Sequence, residues 1–201
     1  MKLKFENPLF IGAHPDDNSL NCGGFMSRLR REGVGFHCYI MTCFNEEREK
    51  NLRSAMKFIK PETYDVFPFL ASYLEDHKRE LRQTLLNIRE EVNPDVVFTH
   101  SINSSNQDHV LLAKEIKKLY RSETLLSYHG LKEEGVFHPS FFIPLTKEDV
   151  LTKIELLGHF KQEGRFQDFL TLDAVKSRAR VEGVRCGEEY AESFNIVRMK
   201  I

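Results

Sequence analysis

The chain has 201 residues, with 29 Lys and Arg against 30 Asp and Glu and a formal net charge of −1. This near-balance gives no electrostatic reason to expect a nucleic-acid or acidic-membrane partner, and no apolar run approaches the ~20 residues that a membrane-spanning helix requires. We expect one domain over residues 1–201, large enough to place helices on both faces of a sheet.

Strand-like and helix-like segments alternate along the chain. The strands are predicted near residues 8–13, 35–43, 63–67, 95–100, 124–128 and 140–144. The helices are predicted over 20–32, 47–60, 76–91, 108–121 and 148–161, and the charged tail is interpreted as a helix over roughly 172–182 and a final strand over 194–199. Such alternation is typical of βαβ units, so it predicts an α/β fold with a mostly parallel sheet and helices on both faces.

The first predicted strand stops at a polar turn that contains His14, Pro15, Asp16 and Asp17. Open α/β sheets place their ligands at the carboxyl ends of such strands. An imidazole and a carboxylate together suit zinc, and the second carboxylate is left to act as a base. Because His14 and Asp17 lie three residues apart on one turn, one ion can reach both.

The best candidate for a third ligand is His109, which follows the fourth predicted strand and opens a helix. In a doubly wound sheet the first and fourth strands are neighbours and the chain reverses direction between them, so the loops after them converge at one crevice. The alternative is that these residues only cap helices, with Asp17, Asn18 or Ser19 at the first and Asp108 at the fourth. Two such segments at one switch point favour a site.

The other histidines are weaker candidates. His37 and His129 are interpreted as packing residues in strands, whereas His77 and His159 are interpreted as solvated or half-buried residues on helices. His138 precedes Pro139 in a loop. His100 ends the fourth strand, and an alternative interpretation is that its side chain contacts the site.

Two features predict a cytoplasmic protein. The four cysteines, Cys22, Cys38, Cys43 and Cys186, include no C-x-x-C pair, which suits a reducing compartment and argues against a zinc site built on cysteine. The first residues lack the apolar stretch of a signal peptide.

The two motifs resemble those of the PIG-L/LmbE-like zinc-dependent N-deacetylases. Residues 13–17 are similar to the A-H-P-D-D-E signature, and Gln107-Asp108-His109 resembles the second motif at a helix start. The resemblance covers essentially the whole chain, and its further elements are Arg48 with Ala55, then Tyr128, Phe137 and Pro139, then the segment 153–162, and last Gly183 with the segment 190–194.

This resemblance implies a Rossmann-like three-layer sandwich in which a metal takes the place of a dinucleotide. It implies that His14, Asp17 and His109 bind zinc, or Fe²⁺ or another divalent metal, and that Asp16 is the general base. Arg48 is placed to contact substrate hydroxyls or a phosphate, and a salt bridge from Arg48 to Glu47 or Glu49 is an equal alternative.

The chain departs from the family pattern at three positions. Asn18 stands where Glu is usual, and Asn51 stands where an acid often follows the arginine. Asn106 stands where some members have a histidine that acts as acid or oxyanion stabiliser. An amide donates hydrogen bonds but is no general acid at neutral pH, so Asn106 is predicted to assist the oxyanion. Proton delivery to the leaving amine then falls to Asp16 or to another residue, such as His100 or His138.

The expected activity is hydrolysis of the N-acetyl group of an amino sugar or sugar conjugate, the small-molecule substrate class that the resemblance implies. Two alternatives stay open: a non-catalytic sugar- or nucleotide-binding protein on the same scaffold, and a hydrolase of another amide such as an N-acyl amino acid. The sequence also leaves open the physiological substrate and whether the protein forms a homo-oligomer.

Overall fold

Strands and helices alternate in the computed structural model, which describes residues 5–43, 45–130, 137–160 and 172–200. The strands are β1 (Pro8–Gly12), β2 (His37–Thr42), β3 (Thr63–Phe69), β4 (Val96–His100), β5 (Thr124–Tyr128), β6 (Phe141–Leu145) and β7 (Tyr190–Arg198). The helices are α1 (Asp17–Arg31), α2 (Glu46–Ile59), α3 (Lys78–Val92), α4 (Gln107–Leu119), α5 (Lys147–Gly158) and α6 (Leu172–Cys186), with a 3₁₀ turn at Leu74–His77.

The strands form one sheet in the order β3-β2-β1-β4-β5-β7-β6. The five strands β1 to β5 run parallel, whereas β7 is antiparallel to both β5 and β6. β1 pairs with β4, with Leu9 beside Val97 and Phe10 beside Phe98, so the predicted neighbourhood of the first and fourth strands is confirmed. The predicted α/β class with a mostly parallel sheet is confirmed as well.

Most predicted boundaries lie within two residues of the observed ones, and the larger differences have identifiable causes. β3 runs through Pro68 to Phe69, which an edge strand tolerates because its outer amides need no partner. α1 begins three residues early, at Asp17, and β7 begins four residues early, at Tyr190. The predicted third helix starts as the 3₁₀ turn. Residue 161, at the end of the predicted fifth helix, lies outside the described residues.

The sheet separates two apolar layers, as alternation along β1 requires. Phe10 points to the side of α1, α2 and α5, where its ring stacks on Phe98 with centroids 4.9 Å apart. Leu9 and Ile11 point to the opposite side, toward α3 and α4. Within the described ranges, no helix is both long and apolar enough to cross a lipid bilayer.

Two buried carboxylates, Asp149 and Glu192, fix α1 in place, and Lys153 pairs with Glu192. These three residues are called the α1 anchor below. Glu192 accepts the backbone N–H groups of Gly24 and Phe25 at 2.9 and 2.8 Å and pairs with Lys153 Nζ at 2.6 Å. A Cβ at Gly24 would lie 3.0 Å from Glu192 Oε1 and 2.5 Å from the side chain of Leu145, so the close approach requires glycine.

The other carboxylate of the α1 anchor, Asp149, is fully buried. It accepts a hydrogen bond from Ser27 Oγ at 3.1 Å and one from Arg31 Nη2 at 3.0 Å, both on α1. It also completes a reciprocal capping box with Thr146 at the start of α5. The α1 anchor therefore fixes the helix whose first residue is the predicted ligand Asp17.

Candidate metal centre

The turn after β1 folds back over the end of its own strand. β1 ends at Gly12 and α1 begins at Asp17, so the turn between them has room for only four residues. A Cβ at Gly12 would lie 3.0 Å from Asn18 Oδ1 and 3.1 Å from the Cβ of Asp17, which explains the glycine at this point. The N-cap position belongs to Asp16, whose side chain makes no capping hydrogen bond.

The second predicted segment lies after β4, which ends at His100. α4 starts at Gln107 and is capped by Asn106, whose Oδ1 accepts the backbone N–H groups of Asp108 at 2.9 Å and His109 at 3.4 Å. The cap is therefore Asn106, and the alternative that Asp108 caps this helix does not describe the structure. This cap places His109 in the first turn of α4, with its ring directed back toward β1.

The structure brings the three predicted ligands together at the switch point. His14 Nδ1 lies 3.0 Å from His109 Nε2 and 3.3 Å from Asp17 Oδ2, and His109 Nε2 lies 3.4 Å from the same oxygen. All three residues are buried. They form a group of ligand atoms that could hold one metal ion.

The spacing of these atoms fits a tetrahedral metal. Zinc bonds of about 2.0–2.1 Å to nitrogen and oxygen place any two ligands of a tetrahedron roughly 3.3–3.4 Å apart. The observed separations of 3.0, 3.3 and 3.4 Å lie at or near that value. Three protein ligands leave a fourth tetrahedral position for water or substrate, which is the composition of a catalytic zinc site rather than a structural one.

Electrostatics within the cluster favour a positive charge beside Asp17. Burial lowers the pKa of His14, but the Asp17 carboxylate and hydrogen bonds to Asp108 and Asp17 outweigh it and raise the pKa to about 9. Burial likewise raises the pKa of Asp17, yet the imidazoles of His100, His109 and His14 outweigh it and hold the pKa well below its ordinary value. The carboxylate is thus ionised and surrounded by nitrogen atoms.

Asp108 has a contact that the sequence reasoning missed, since the only role it considered for this acid was the alternative of a helix cap. Its Oδ2 lies 3.3 Å from His14 Nε2 and accepts the N–H of Ser72 at 2.7 Å. Burial raises the pKa of Asp108, but the hydrogen bonds with His14 and Ser72 outweigh it and lower the pKa. A carboxylate on the far nitrogen of a ligating histidine fixes its tautomer and orientation, so His14 presents Nδ1 to the centre.

His100 reaches the site, as one interpretation of the sequence allowed. Its Nε2 lies 3.2 Å from Asp17 Oδ2, and its ring stacks on His109 with centroids 3.7 Å apart. His138, the other histidine considered for this role, is exposed in the segment before β6.

The remaining predicted residues lie around this cluster. Asp16 is buried on the turn between two predicted ligands. Asn106 is exposed, with its amide oxygen used for capping. Arg48 is half-buried in the first turn of α2, where its backbone N–H donates to Asn45 Oδ1. Glu49, one of its two proposed salt-bridge partners, pairs with Arg53 at 2.6 Å.

The weaker histidines have structural contacts. His37 begins β2 and bonds to Thr63 and Asn7. His129 follows β5 and stacks on Phe137. His159 caps the carboxyl end of α5 and bonds to Ser54.

Comparison with known sequences gives two matches to deacetylases. Residues 9–120, more than half of the chain, match the family described as GlcNAc-PI de-N-acetylase (PIG-L). The uncharacterized deacetylase YaiS of Escherichia coli (strain K12) is 37% identical over 57 residues, which cover 25% of this chain and 31% of that protein. The chain thus aligns with less than a third of this curated relative.

Comparison with solved structures identifies a common fold. The N,N'-diacetylchitobiose deacetylase from Pyrococcus horikoshii is 18% identical, with a TM-score of 0.75 over 96% of this chain and 84% of that one. GalB, the 4-carboxy-2-hydroxymuconate hydratase from Pseudomonas putida KT2440, is 14% identical, with a TM-score of 0.78 over 98% of both chains. Because a protein described as a hydratase shares the fold, the fold alone does not select the reaction.

Proposed function

Because the chain belongs to the GlcNAc-PI de-N-acetylase (PIG-L) family, we propose that it is a metal-dependent hydrolase that removes the N-acetyl group from an amino sugar or sugar conjugate. The resemblance noted in the sequence is confirmed by this membership. The observation that carries the proposal is the convergence of His14, Asp17 and His109 at the switch point. We also propose that residues 1–201 act as one domain and that the protein resides in the cytoplasm, which its four free cysteines suit.

The proposed ligands are His14 Nδ1, Asp17 Oδ2 and His109 Nε2, and the proposed metal is zinc or another divalent ion such as Fe²⁺. A divalent ion bound there supplies Lewis acidity toward the acetyl carbonyl and acidifies water. The chain supplies the alignment of the ligands through Asp108 and the strand ends.

Asp16 is the proposed general base. It takes a proton from the attacking water, whose oxygen bonds to the acetyl carbon. The carbon–nitrogen bond then breaks, and the protonated Asp16 returns the proton to the leaving nitrogen, so that acetate and a free amine result. The amide nitrogen of Asn106 is the proposed donor to the oxyanion, and Arg48 is the proposed contact for substrate hydroxyls or a phosphate.

The choice of an N-acetylated sugar is supported by the family description and by the chitobiose deacetylase that shares the fold. An N-acyl amino acid is the alternative amide. A non-catalytic sugar- or nucleotide-binding protein is disfavoured by Asp16, since a binding site has no use for an additional buried acid beside the ligands.

A panel assay tests the proposal. Wild-type protein loaded with zinc and the Asp16→Asn variant are incubated with N-acetylated amino sugars, sugar conjugates and N-acetyl amino acids, and free acetate is measured. We expect acetate release from at least one sugar, with a loss of ~10²–10⁴-fold in Asp16→Asn while zinc stays bound. Parallel loss of zinc and activity would mean that Asp16 and Asp17 have exchanged roles. Sugar binding without acetate release or bound metal would favour the non-catalytic alternative.

A further inference from the structure

We propose that His100 is a positioning residue of the metal centre, a buried template against which the ligand side chains are arranged, although it does not bind the ion itself. This inference rests on the proposed function. His100 is the last residue of β4, and only 1% of its surface is exposed. Because it is almost fully shielded from solvent, it is badly placed to protonate a leaving amine.

A single ring nitrogen of His100 contacts both ends of the turn that carries two ligands. Its Nε2 lies 3.0 Å from the backbone N of Ala13, the residue before His14, and 3.2 Å from Asp17 Oδ2. The nitrogen accepts from the Ala13 amide when it is unprotonated and donates to the carboxylate when it carries hydrogen. In both states it fixes one end of the turn.

The face of the same ring supports the third ligand. The rings of His100 and His109 are nearly parallel, at 16°, with centroids 3.7 Å apart. His100 is itself held by Tyr128, whose ring meets it edge-on at 70° and whose hydroxyl lies 3.4 Å from Nε2. One buried side chain thus touches the backbone before His14, the carboxylate of Asp17 and the ring of His109.

Groups that orient ligands from behind commonly change metal affinity by 10–100-fold when they are removed. The ligand atoms here come from two separate segments, the turn that leads into α1 and the first turn of α4, so the two segments need a common reference to keep the spacing of a tetrahedral site. β4 provides it because His100 ends the strand that pairs with β1, and its position is set by the sheet rather than by a loop.

Two substitutions distinguish the contribution of the His100 ring nitrogen from the contribution of the ring face. His100→Phe keeps an aromatic ring to stack on His109 but removes both polar contacts. His100→Gln removes the ring, whereas its amide oxygen can accept from Ala13 and its amide nitrogen can donate to Asp17. A matched control is His37→Phe, because His37 is also a buried histidine with both ring nitrogens hydrogen-bonded, but it lies at the opposite end of its strand.

Zinc affinity is measured by titrating Zn²⁺ into each chelator-stripped, full-length protein against a competing chelating dye. The visible spectrum after Co²⁺ substitution reports the ligand geometry. We expect His100→Phe to bind Zn²⁺ about 10–100-fold more weakly, with an altered cobalt spectrum. We expect His100→Gln, which keeps both polar contacts but lacks the ring, to lose less affinity than His100→Phe, and we expect His37→Phe to retain the wild-type affinity and spectrum. Circular dichroism shows whether each variant is folded.

The outcomes separate this inference from the proposed function. Wild-type protein that binds no Zn²⁺ overturns both. Wild-type protein that binds Zn²⁺, together with a folded His100→Phe of equal affinity, overturns only the positioning role. If His100→Phe does not fold, His100→Leu, which also lacks both polar contacts, replaces it in the comparison with His100→Gln. Weaker Zn²⁺ binding in His100→Leu than in His100→Gln supports the role of the nitrogen, and equal binding in the two variants overturns it.

Discussion

The candidate metal centre and the α1 anchor both bury polar groups, yet the charges of those groups are balanced in different ways. In the α1 anchor each charge meets its complement within the chain: Lys153 donates to Glu192, which also accepts two backbone amides. In the metal centre a nitrogen of His14 faces a nitrogen of His109 at 3.0 Å, beside the carboxylate of Asp17. A cation is the group that this arrangement of two imidazoles and a carboxylate suits.

This difference shows that burial of polar residues does not by itself identify a functional site. A buried group that is satisfied by the chain contributes to stability under all conditions, whereas a group that requires an external ion contributes only when the ion is bound. Substitutions in the α1 anchor should therefore change stability and spare metal affinity, whereas substitutions in the candidate metal centre should chiefly lower metal affinity.

The largest effect is expected for His109→Ala. Loss of a direct ligand should weaken zinc binding by more than the ~10–100-fold typical of groups that only orient ligands, and should abolish acetate release. The metal-free protein should also lose some stability, because the substitution removes a buried ring that stacks on His100, so the loss of zinc affinity is the effect that distinguishes this variant from one in the α1 anchor. Metal analysis after mild chelation and urea unfolding measure the two quantities. Stoichiometric zinc retained by His109→Ala would show that His109 is not a ligand.

Lys153→Met tests the contribution of the α1 anchor to stability. Removing one partner of a buried ion pair leaves Glu192 charged and unpaired, which typically costs about 3–5 kcal/mol. We expect that loss in urea unfolding with and without zinc, at unchanged zinc affinity. Lys147→Met is the control, since Lys147 is exposed on the same helix and should change stability little. Equal stability of the two variants would contradict the role given to the α1 anchor.

Asn106 combines a structural role with a proposed catalytic one, since it caps α4 and is also the proposed oxyanion donor. Asn106→Asp keeps an oxygen for the cap and removes the amide donor, whereas Asn106→Ala removes both. We expect both variants to lose kcat, by up to ~10²–10³, and we expect the pH–rate limbs of Asn106→Ala to stay in place, because neither the amide nor its replacement titrates. Only Asn106→Ala should also lose stability, by about 1 kcal/mol. Unchanged kcat in Asn106→Asp would leave Asn106 with the cap alone.

The smallest effect is the pH dependence that Asp149 gives to the α1 anchor. Burial raises the pKa of Asp149, but hydrogen bonds from Arg31 and Thr146 outweigh it and lower the pKa below 3.8. A lowered folded-state pKa means that this stability is present above about pH 4 and is lost as the pH falls through the folded value. Asp149→Asn should cost about 1–3 kcal/mol at pH 7, and the difference should shrink in acid. A constant difference in urea unfolding from pH 7 to pH 3 would argue against it.

The sequence predicted the central part of the sheet because local signals determine it. Alternating strands and helices predict a doubly wound sheet, in which β1 lies beside β4. The insertion of β7 between β5 and β6 could not be predicted, since antiparallel pairing between residues as distant as Leu125 and Arg198 leaves no local signal. The early start of β7 was missed for a related reason: Glu192 looks like a surface residue until Lys153 is known to lie against it.

The proposed metal ligands followed from residue types and strand order, but their supporting contacts did not. For Asp108 the sequence offered only a helix cap as an alternative role, and its bond to Ser72 depends on a left-handed turn at φ +70° that no motif marks. The role of His100 depends on how the sheet sets its ring against His109, which only coordinates reveal.

The two histidines of the centre that face each other are separated by 95 residues of chain. At typical rates of synthesis, His109 leaves the ribosome's active centre roughly 5–20 s after His14. During that interval the nascent chain offers an ion only two of the three proposed ligands, His14 and Asp17. Metal binding at the candidate centre therefore has to wait until the chain has been made at least as far as His109 and has folded, and the α1 anchor stabilises that folded state without any ion. In a cell short of zinc, we expect this protein to accumulate as a folded, inactive reserve that any later supply of metal can activate.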